Sequence, residues 1–287
     1  MTSAAEFFDM DAAPMRIGTV RLKVRNLDTV AGFYRHVLGL SAIDADGQTA
    51  TLGAGRTPLI VLEADPALAP GDPRQAGLFH TAFLMPTRAD LGRWLGHVAA
   101  LRVPLHGASD HIVSEAIYLA DPEGNGIEVY ADRPVAGWRD ADGQIRMATE
   151  RLDLHDVLAA GEGRAWTGFP EDGRIGHVHL QIGDVAASDR FYRDVLGFDI
   201  AADYPGASFY GSGGYHHQLA GNIWNSRGAG RRPEGMTGLG GVEIVVRDAS
   251  DIAEVAARAE EAGIEIARDE IGTTLRDPWG IAVTLKA

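Results

Sequence analysis

The sequence contains no cysteine among its 287 residues. This absence excludes disulfides, thiolate metal sites and cysteine nucleophiles. No apolar run approaches the roughly 20 residues that a membrane-spanning helix requires. Three acidic residues, Glu6, Asp9 and Asp11, lie near the start of the chain, where a secretory signal has basic residues and then an apolar core. We therefore expect a soluble cytoplasmic protein that does not associate with membranes.

Basic residues are also scarce. The chain has 26 Lys and Arg against 40 Asp and Glu, which gives a formal net charge of −14. A face that binds nucleic acid needs clustered Lys and Arg, and the only dense basic cluster is Arg227 with Arg231 and Arg232 in a Gly-rich segment. Nucleic acid is therefore not an expected partner, and the excess of acidic residues is typical of a soluble surface.

The sequence does contain an internal repeat. Gly18 and Gly176 each begin an alternating run typical of a strand, and a helical segment follows, FYRHVLG at 33–39 and FYRDVLG at 191–197. The offset is 158 residues for both the strand and the helix. Two further units close with related motifs, namely DPEG at 121–124 and DPWG at 277–280. The chain is therefore predicted to contain four copies of one structural module.

Each module is predicted to be a strand, an amphipathic helix and then further strands. The modules run from about Met15 to Asp65, Gly77 to Asp132, Ile175 to Trp224 and Gly238 to Ala287. Apolar residues in the first helix recur with helical spacing on one face, at Val30, Phe33, Tyr34, Val37 and Leu38. Gly39 then fits a left-handed helix cap.

The other segments give weaker signals. A helical stripe is predicted in the second module at Leu91, Leu95, Val98 and Leu101. Residues 133–174 are predicted to be a connector, with a short helix within Met147 to Leu158. The Gly-rich segment from Gly228 to Gly241 is predicted to be a long mobile loop.

With these motifs the chain resembles the vicinal oxygen chelate superfamily, which includes glyoxalase I, fosfomycin-resistance proteins and type I extradiol ring-cleaving dioxygenases. The resemblance is greatest to two-domain proteins similar to catechol-2,3-dioxygenase, through DHIVSEAIYLADPEGNGIEVYADRP at 110–134 and GGYHHQ at 213–218. It implies an α+β fold of four βαβββ modules that form two curled-sheet, cup-like domains. We expect these domains at residues 15–132 and 175–287, joined by the connector at 133–174.

In this fold the metal ligands lie near the start of the first strand and the end of the last strand of a module. The resemblance implies His80, Glu128 and His177 as ligands, with His179 as an alternative because residues two apart on a strand share a face. A buried carboxylate such as Glu128 is costly unless it is paired or bound to a metal. The competing interpretation is that these residues are hydrogen-bonded core residues or lie on a solvated face.

The first and fourth modules lack such a set, because they have Thr19 and Arg21, or Gly241 and Thr284, at the corresponding positions. Only pairing of the second module with the third brings two His and one carboxylate into one cup. We therefore predict this inside pairing, with the first and fourth modules forming a metal-free cup. Two His and one carboxylate are typical of non-haem Fe(II) oxygen chemistry, so Fe(II) is expected, with Mn(II) as the alternative.

The activity that the resemblance implies is metal-dependent extradiol ring cleavage of a small aromatic diol by dioxygen. The substrate would be catechol or a substituted catechol or hydroquinone. His217 is implied as the acid–base residue, since an imidazole titrates near neutral pH, and His216 is the alternative. Tyr118, ten residues before Glu128, is implied to hydrogen-bond a substrate oxygen, and His111 is a further candidate in the pocket.

Two other functions remain open at this point. One is another enzyme of the superfamily, either a glyoxalase-type isomerase or a thiol transferase. Glyoxalase-like sites usually have a carboxylate at the position where this chain has His217, and an acid–base His fits dioxygenation better. The other is a metal-free protein that binds an antibiotic or aromatic ligand, which would not need His80, Glu128 and His177 together. Homo-oligomers formed through sheet edges are common in this fold.

Overall fold

The structure is a computed structural model that describes residues 6–287. Two large curled β-sheets, one of eight strands and one of nine, form most of it, and five α-helices pack against them. Within the described residues, no helix is both long enough and apolar enough to cross a membrane. The α+β fold that the resemblance implies is confirmed.

The first module begins after a short 3₁₀ turn at Met10–Ala12. Its elements are β1 (Met15–Val24), α1 (Leu27–His36), β2 (Ser41–Ala45), β3 (Thr49–Ala54) and β4 (Thr57–Ala64). The Asn26 side chain caps α1 by accepting a hydrogen bond from the Thr29 amide. Gly39 has φ of +77°, which confirms the predicted left-handed turn after the helix.

The second module contains β5 (Gly77–Leu84), α2 (Arg88–Leu101), β6 (Gly107–Asp110), β7 (Ser114–Ala120) and β8 (Gly126–Asp132). Leu91, Leu95 and Val98 are buried, as the helical stripe predicts. The expectation for Leu101 is wrong, because this residue ends the helix and is 51% exposed.

The connector contains a 3₁₀ turn at Val135–Gly137, then β9 (Glu150–Arg151) and α3 (Leu154–Ala160). The predicted helix starts too early, because the Asp153 carboxylate accepts from the amides of His155 and Asp156 and so caps a helix that begins at Leu154. The preceding residues are extended instead, and β9 adds to the edge of the sheet beside β6.

The third module contains β10 (Arg174–Gln181), α4 (Val185–Asp189), β11 (Asp199–Tyr204), β12 (Ala207–Gly211) and β13 (Leu219–Asn222). Its FYRDV segment continues α4 as a π-helical turn at Arg190–Val195 rather than as an α-helix. The fourth module contains β14 (Gly238–Val246), α5 (Ala249–Glu261), β15 (Ile266–Arg268), β16 (Thr273–Arg276) and β17 (Ala282–Lys286).

The pairing of modules follows from the order of strands in each sheet. The nine-stranded sheet has the order β11-β12-β13-β10-β5-β8-β7-β6-β9, so the second and third modules meet where β5 and β10 pair antiparallel. The eight-stranded sheet has the order β15-β16-β17-β14-β1-β4-β3-β2, so the first and fourth modules meet at β1 and β14. The predicted inside pairing is confirmed. The division of the chain into domains at residues 132 and 175 stays a prediction.

A single cluster of buried apolar side chains includes members from both sheets, such as Leu22, Phe83, Leu180 and Ile244. Apolar burial of this extent is the main stabilising contribution to such a fold. The nine-stranded sheet has buried polar residues as well, including His80, His177, His179 and Glu128 on its central strands. Because buried polar groups are costly unless they have partners, this part of the sheet is the candidate site.

Candidate metal centre

Three adjacent central strands, β10, β5 and β8, position the predicted ligands. His177 on β10 and Glu128 on β8 both lie opposite Ala82 of β5, on either side of it. His80 lies two residues before Ala82 on the same strand, so strand alternation directs it to the same face. All three predicted ligands therefore project into the same cup.

The three side chains converge. Glu128 Oε2 lies 2.9 Å from His80 Nε2 and 3.2 Å from His177 Nε2, and the two imidazole nitrogens are 3.3 Å apart. Within residues 6–287, these three side chains form the group of His and carboxylate residues whose donor atoms lie close enough together to hold one metal ion. Each of the three is more than nine-tenths buried.

The donor set fits a divalent transition metal. Neighbouring ligands at right angles, each with a bond of about 2.1 Å, are separated by about 3.0 Å, which is close to the three distances between these donor atoms. Two imidazoles and a carboxylate on one side of an ion match the facial set of non-haem Fe(II) sites.

The protonation states also suit a metal. Burial alone would raise the pKa of Glu128, but the adjacent His177 and His80 outweigh it and hold that pKa well below its usual value. Burial lowers the pKa of His177 to about 4, despite the opposing attraction of Glu128. At neutral pH the carboxylate is therefore ionised and the imidazole neutral, which are the forms that bind metals.

His179, the alternative ligand, is not part of this group. Its side chain points into the same cup, but the Asn222 side chain donates a hydrogen bond of 3.0 Å to its Nε2. Burial lowers its pKa well below the usual value. The nitrogen of His179 is therefore occupied by a protein donor, while that of His177 is directed at Glu128.

His217 lies beside the three candidate ligands, with its ring centre 4.1 Å from that of His177. It lines the cavity above them, whereas His216 lies behind it and is completely buried. Residues 215–218 precede β13 and are not in a strand, so strand alternation does not decide which of these two neighbours faces the cavity. The two rings instead contact each other, with their Nδ1 atoms 2.9 Å apart.

The contacts behind His217 determine its tautomer. His216 Nε2 donates a hydrogen bond of 2.9 Å to the Asp132 carboxylate, so in the neutral form of His216 its Nδ1 is an acceptor. His217 therefore donates from its own Nδ1. This leaves a lone pair on His217 Nε2, the form of imidazole that accepts a proton. Burial lowers the pKa of His217 well below its usual value, which keeps the ring neutral.

A second pair of predicted residues lies across the cavity. His111 Nδ1 donates a hydrogen bond of 2.6 Å to the Ala148 carbonyl, so its Nε2 accepts from the Tyr118 hydroxyl, also at 2.6 Å. Tyr118 lies directly opposite Glu128 on the neighbouring strand. Burial and the charge of Glu128 raise the pKa of Tyr118 well above its usual value, so the phenol stays protonated.

The cavity above these residues has a volume of about 290 Å³. Its walls are largely aromatic, with Phe79, Phe209 and Trp224 on one side. The connector supplies another part of the wall through Met147–Thr149, which the sequence did not indicate. The Gly-rich segment at 228–241 does not line this cavity and lines other recesses instead. An apolar cleft with a few polar groups is typical of a small-molecule site.

Asp132 is a further residue of the site that the sequence prediction did not include, although its spacing from Glu128 along the strand could have indicated it. Glu128, Tyr130 and Asp132 alternate along β8 and therefore share a face. The Tyr130 and Tyr215 hydroxyls lie 2.7 Å apart, and Tyr215 donates to Asp132 at 3.3 Å. Strand alternation from Glu128 could have identified Asp132 as part of the site.

The buried imidazoles predict a pH-dependent stability of the metal-free protein. The pKa values of His177, His179 and His217 are lowered in the folded state, whereas unfolded His has a pKa near 6.5. Between pH 6.5 and about 4 the unfolded chain therefore binds more protons, and the free energy of unfolding falls as the pH falls. Each imidazole contributes up to ~1.4 kcal/mol per pH unit.

Urea unfolding of the metal-free protein at pH 7 and pH 5, followed by circular dichroism, measures this slope. The variant His179→Gln should have a smaller loss of stability between the two pH values than the wild type. The variant His155→Gln, at an exposed position on α3, should have the wild-type slope. Equal slopes for all three proteins would contradict the prediction.

Comparison with known proteins agrees with this architecture. The sequence model of the Glyoxalase/Bleomycin resistance protein/Dioxygenase superfamily matches residues 16–129 and 174–285. The chain belongs to this superfamily. It is similar to a catechol-2,3-dioxygenase of Bacillus subtilis (strain 168), with 38% identity over 271 residues, which cover 91% of this chain and 93% of that protein.

Solved structures share the fold at lower identity. A putative dioxygenase from Bacillus subtilis has a TM-score of 0.62 and 15% identity, covering 94% of this chain and 84% of that one. Glyoxalase I from Zea mays has a TM-score of 0.59 and 18% identity, covering 95% and 92% of the two chains. At these identities the likeness concerns the fold alone, so the choice between dioxygenase and isomerase rests on the site.

Proposed function

We propose that the protein is a metal-dependent extradiol dioxygenase, which cleaves the ring of catechol or of a substituted catechol or hydroquinone with dioxygen. The observation that carries this proposal is the convergence of His80, Glu128 and His177 within 3.3 Å of one another, beside a neutral His217 in an apolar cavity. The similarity to a catechol-2,3-dioxygenase supports the same reaction class.

The proposed ligands are His80, Glu128 and His177, which would hold Fe(II) or Mn(II). When bound, the ion supplies the path for electrons between the aromatic ring and dioxygen. The one negative charge of Glu128 leaves a divalent ion with a net positive charge, which favours binding of an anionic diol. This donor set suits either metal.

The proposed proton carrier is His217. Its Nε2 carries the free lone pair, because Nδ1 is bonded to His216, so the ring accepts a proton from a diol hydroxyl. The buried site disfavours the charged imidazolium, so the protonated ring readily returns its proton to the developing product. His216 and Asp132 act as positioning residues, since they fix the tautomer of His217.

The proposed role of Tyr118 is to hydrogen-bond a substrate oxygen. Its own proton is donated to His111 at 2.6 Å, so the phenol oxygen faces the cavity as an acceptor for a substrate hydroxyl. The aromatic walls at Phe79, Phe209 and Trp224 suit a flat aromatic substrate and exclude water from the reacting oxygens.

Ring cleavage is tested by loading the purified protein with Fe(II) without oxygen, adding catechol and then admitting air. We expect a yellow ring-opened product, measured by its near-visible absorbance, with one dioxygen consumed for each product formed. Parallel loading with Mn(II) identifies the preferred metal. An isomerase would leave dioxygen unconsumed. If neither metal gives coloured product from a panel of catechols and hydroquinones, the proposal is wrong.

A further inference from the structure

A second, strongly basic recess lies away from the metal centre. Four of its lining side chains are cationic, and they come from three separate parts of the fold: Lys23 from β1, Arg231 and Arg232 from the loop before β14, and Arg276 from β16. Glu234 is its one acidic lining residue. This excess of positive charge is unusual in a chain whose net charge is −14.

The four cations have no carboxylate partners among residues 6–287. Elsewhere on the same sheet, Arg21 pairs with Glu63 at 3.2 Å and Lys286 pairs with Glu243 at 2.5 Å. In the recess, Arg276 Nη1 donates to the Gly280 carbonyl at 2.9 Å, and Arg232 donates to the carbonyls of Leu239 and Thr237. These carbonyl contacts hold the guanidinium groups in place but leave their charges unneutralised.

The backbone leaves room for these side chains. A Cβ on Gly280, whose φ is +86°, would lie 3.2 Å from Arg231 Nε. A Cβ on Gly238 would lie 2.6 Å from Arg232 Nη2. The two arginines therefore lie directly on glycine backbone. Burial lowers the pKa of Arg232, and a bound anion would offset the cost of keeping this charge in a buried position.

We propose that this recess binds a small, multiply charged oxyanion, either free phosphate or the phosphate group of a small metabolite. Guanidinium groups present parallel N–H donors that match phosphate oxygens. The volume of about 250 Å³ suits a small molecule and not a polymer. Arg232 also lines a cavity of about 520 Å³ whose wall includes His80 and Tyr118, so one side chain is common to the anion recess and the cavity beside the metal centre.

Isothermal titration of the full-length, metal-loaded protein with phosphate, at constant ionic strength, tests the proposal. The double variant Arg231→Gln/Arg276→Gln should bind phosphate at least about tenfold more weakly, because two charged donor groups are lost. A matched double variant at exposed arginines outside the recess, Arg35→Gln/Arg247→Gln, should bind like the wild type. Metal content and melting temperature confirm that each variant is folded.

The same titration separates the sources of the anion. Tighter binding of glycerol phosphate than of inorganic phosphate would identify a metabolite, and the reverse would identify the free ion. If the metal held the phosphate instead, phosphate binding would be lost after the metal is chelated, and its affinity would be the same in the arginine variants as in the wild type. No binding heat in the wild type, or equal affinity in the wild type and in Arg231→Gln/Arg276→Gln, would overturn the proposal without bearing on ring cleavage.

Discussion

The variant Glu128→Gln is expected to lose its metal and, with it, the proposed ring-cleaving activity. The substitution keeps the shape of the side chain but removes the one negative charge among the three donors. Removing a residue that only hydrogen-bonds to a metal ligand lowers metal affinity or activity by up to about 100-fold. Removing the charge of a ligand itself should therefore lower metal affinity by more than about 100-fold. Metal content by plasma emission spectroscopy and oxygen uptake with catechol measure the two effects.

The matched control is Glu243→Gln, the same change on the sheet that lacks these ligands. Glu243 pairs with Lys286, so its loss should reduce stability slightly and leave metal content and oxygen uptake unchanged. Both variants should remain folded, as judged by circular dichroism. Stoichiometric, tightly held metal in Glu128→Gln would contradict the assignment of Glu128 as a ligand.

The sequence predicts the fold and the candidate ligands through its resemblance to the superfamily, because the motifs that carry this resemblance recur along the chain. Strand alternation fixes which face His80, Glu128 and His177 occupy. The absence of a comparable set in the first and fourth modules then leaves one pairing that brings the three together. The strand order confirms this pairing, since β5 and β10 are hydrogen-bonded neighbours.

The rest of the site depends on segments without periodic patterns. Met147–Thr149 forms a wall of the cavity because β9 extends the sheet at β6, and two residues of pairing leave little signal in a sequence. The contact between His216 and His217 arises because the chain is irregular before β13. Alternation rules therefore do not apply there, and the tautomer of His217 becomes evident only from three-dimensional contacts.

The variant His217→Gln is expected to lower kcat by about 10²–10⁴, the usual contribution of a general acid–base residue, while the metal content stays at the wild-type level. His217 is proposed to move protons and not to bind the ion, so the two measurements should separate. Glutamine preserves a donor near His216 but has no titratable group. Because burial holds the pKa of His217 well below its usual value, the limb that belongs to the imidazole lies at the acid end of the profile, and steady-state oxygen uptake measured from pH 4 to 8 should lose that limb.

The variant Asp132→Asn distinguishes a positioning role from a catalytic one. Asparagine keeps an oxygen that accepts from His216 Nε2, so the chain from residue 132 to His217 Nδ1 survives with a weaker, uncharged acceptor. We expect a smaller loss of kcat than in His217→Gln, with the pH limb retained but shifted. His155→Gln serves as the exposed control. If His217→Gln loses metal in proportion to activity, the imidazole is a fourth ligand, and the proton-transfer role assigned to it is wrong.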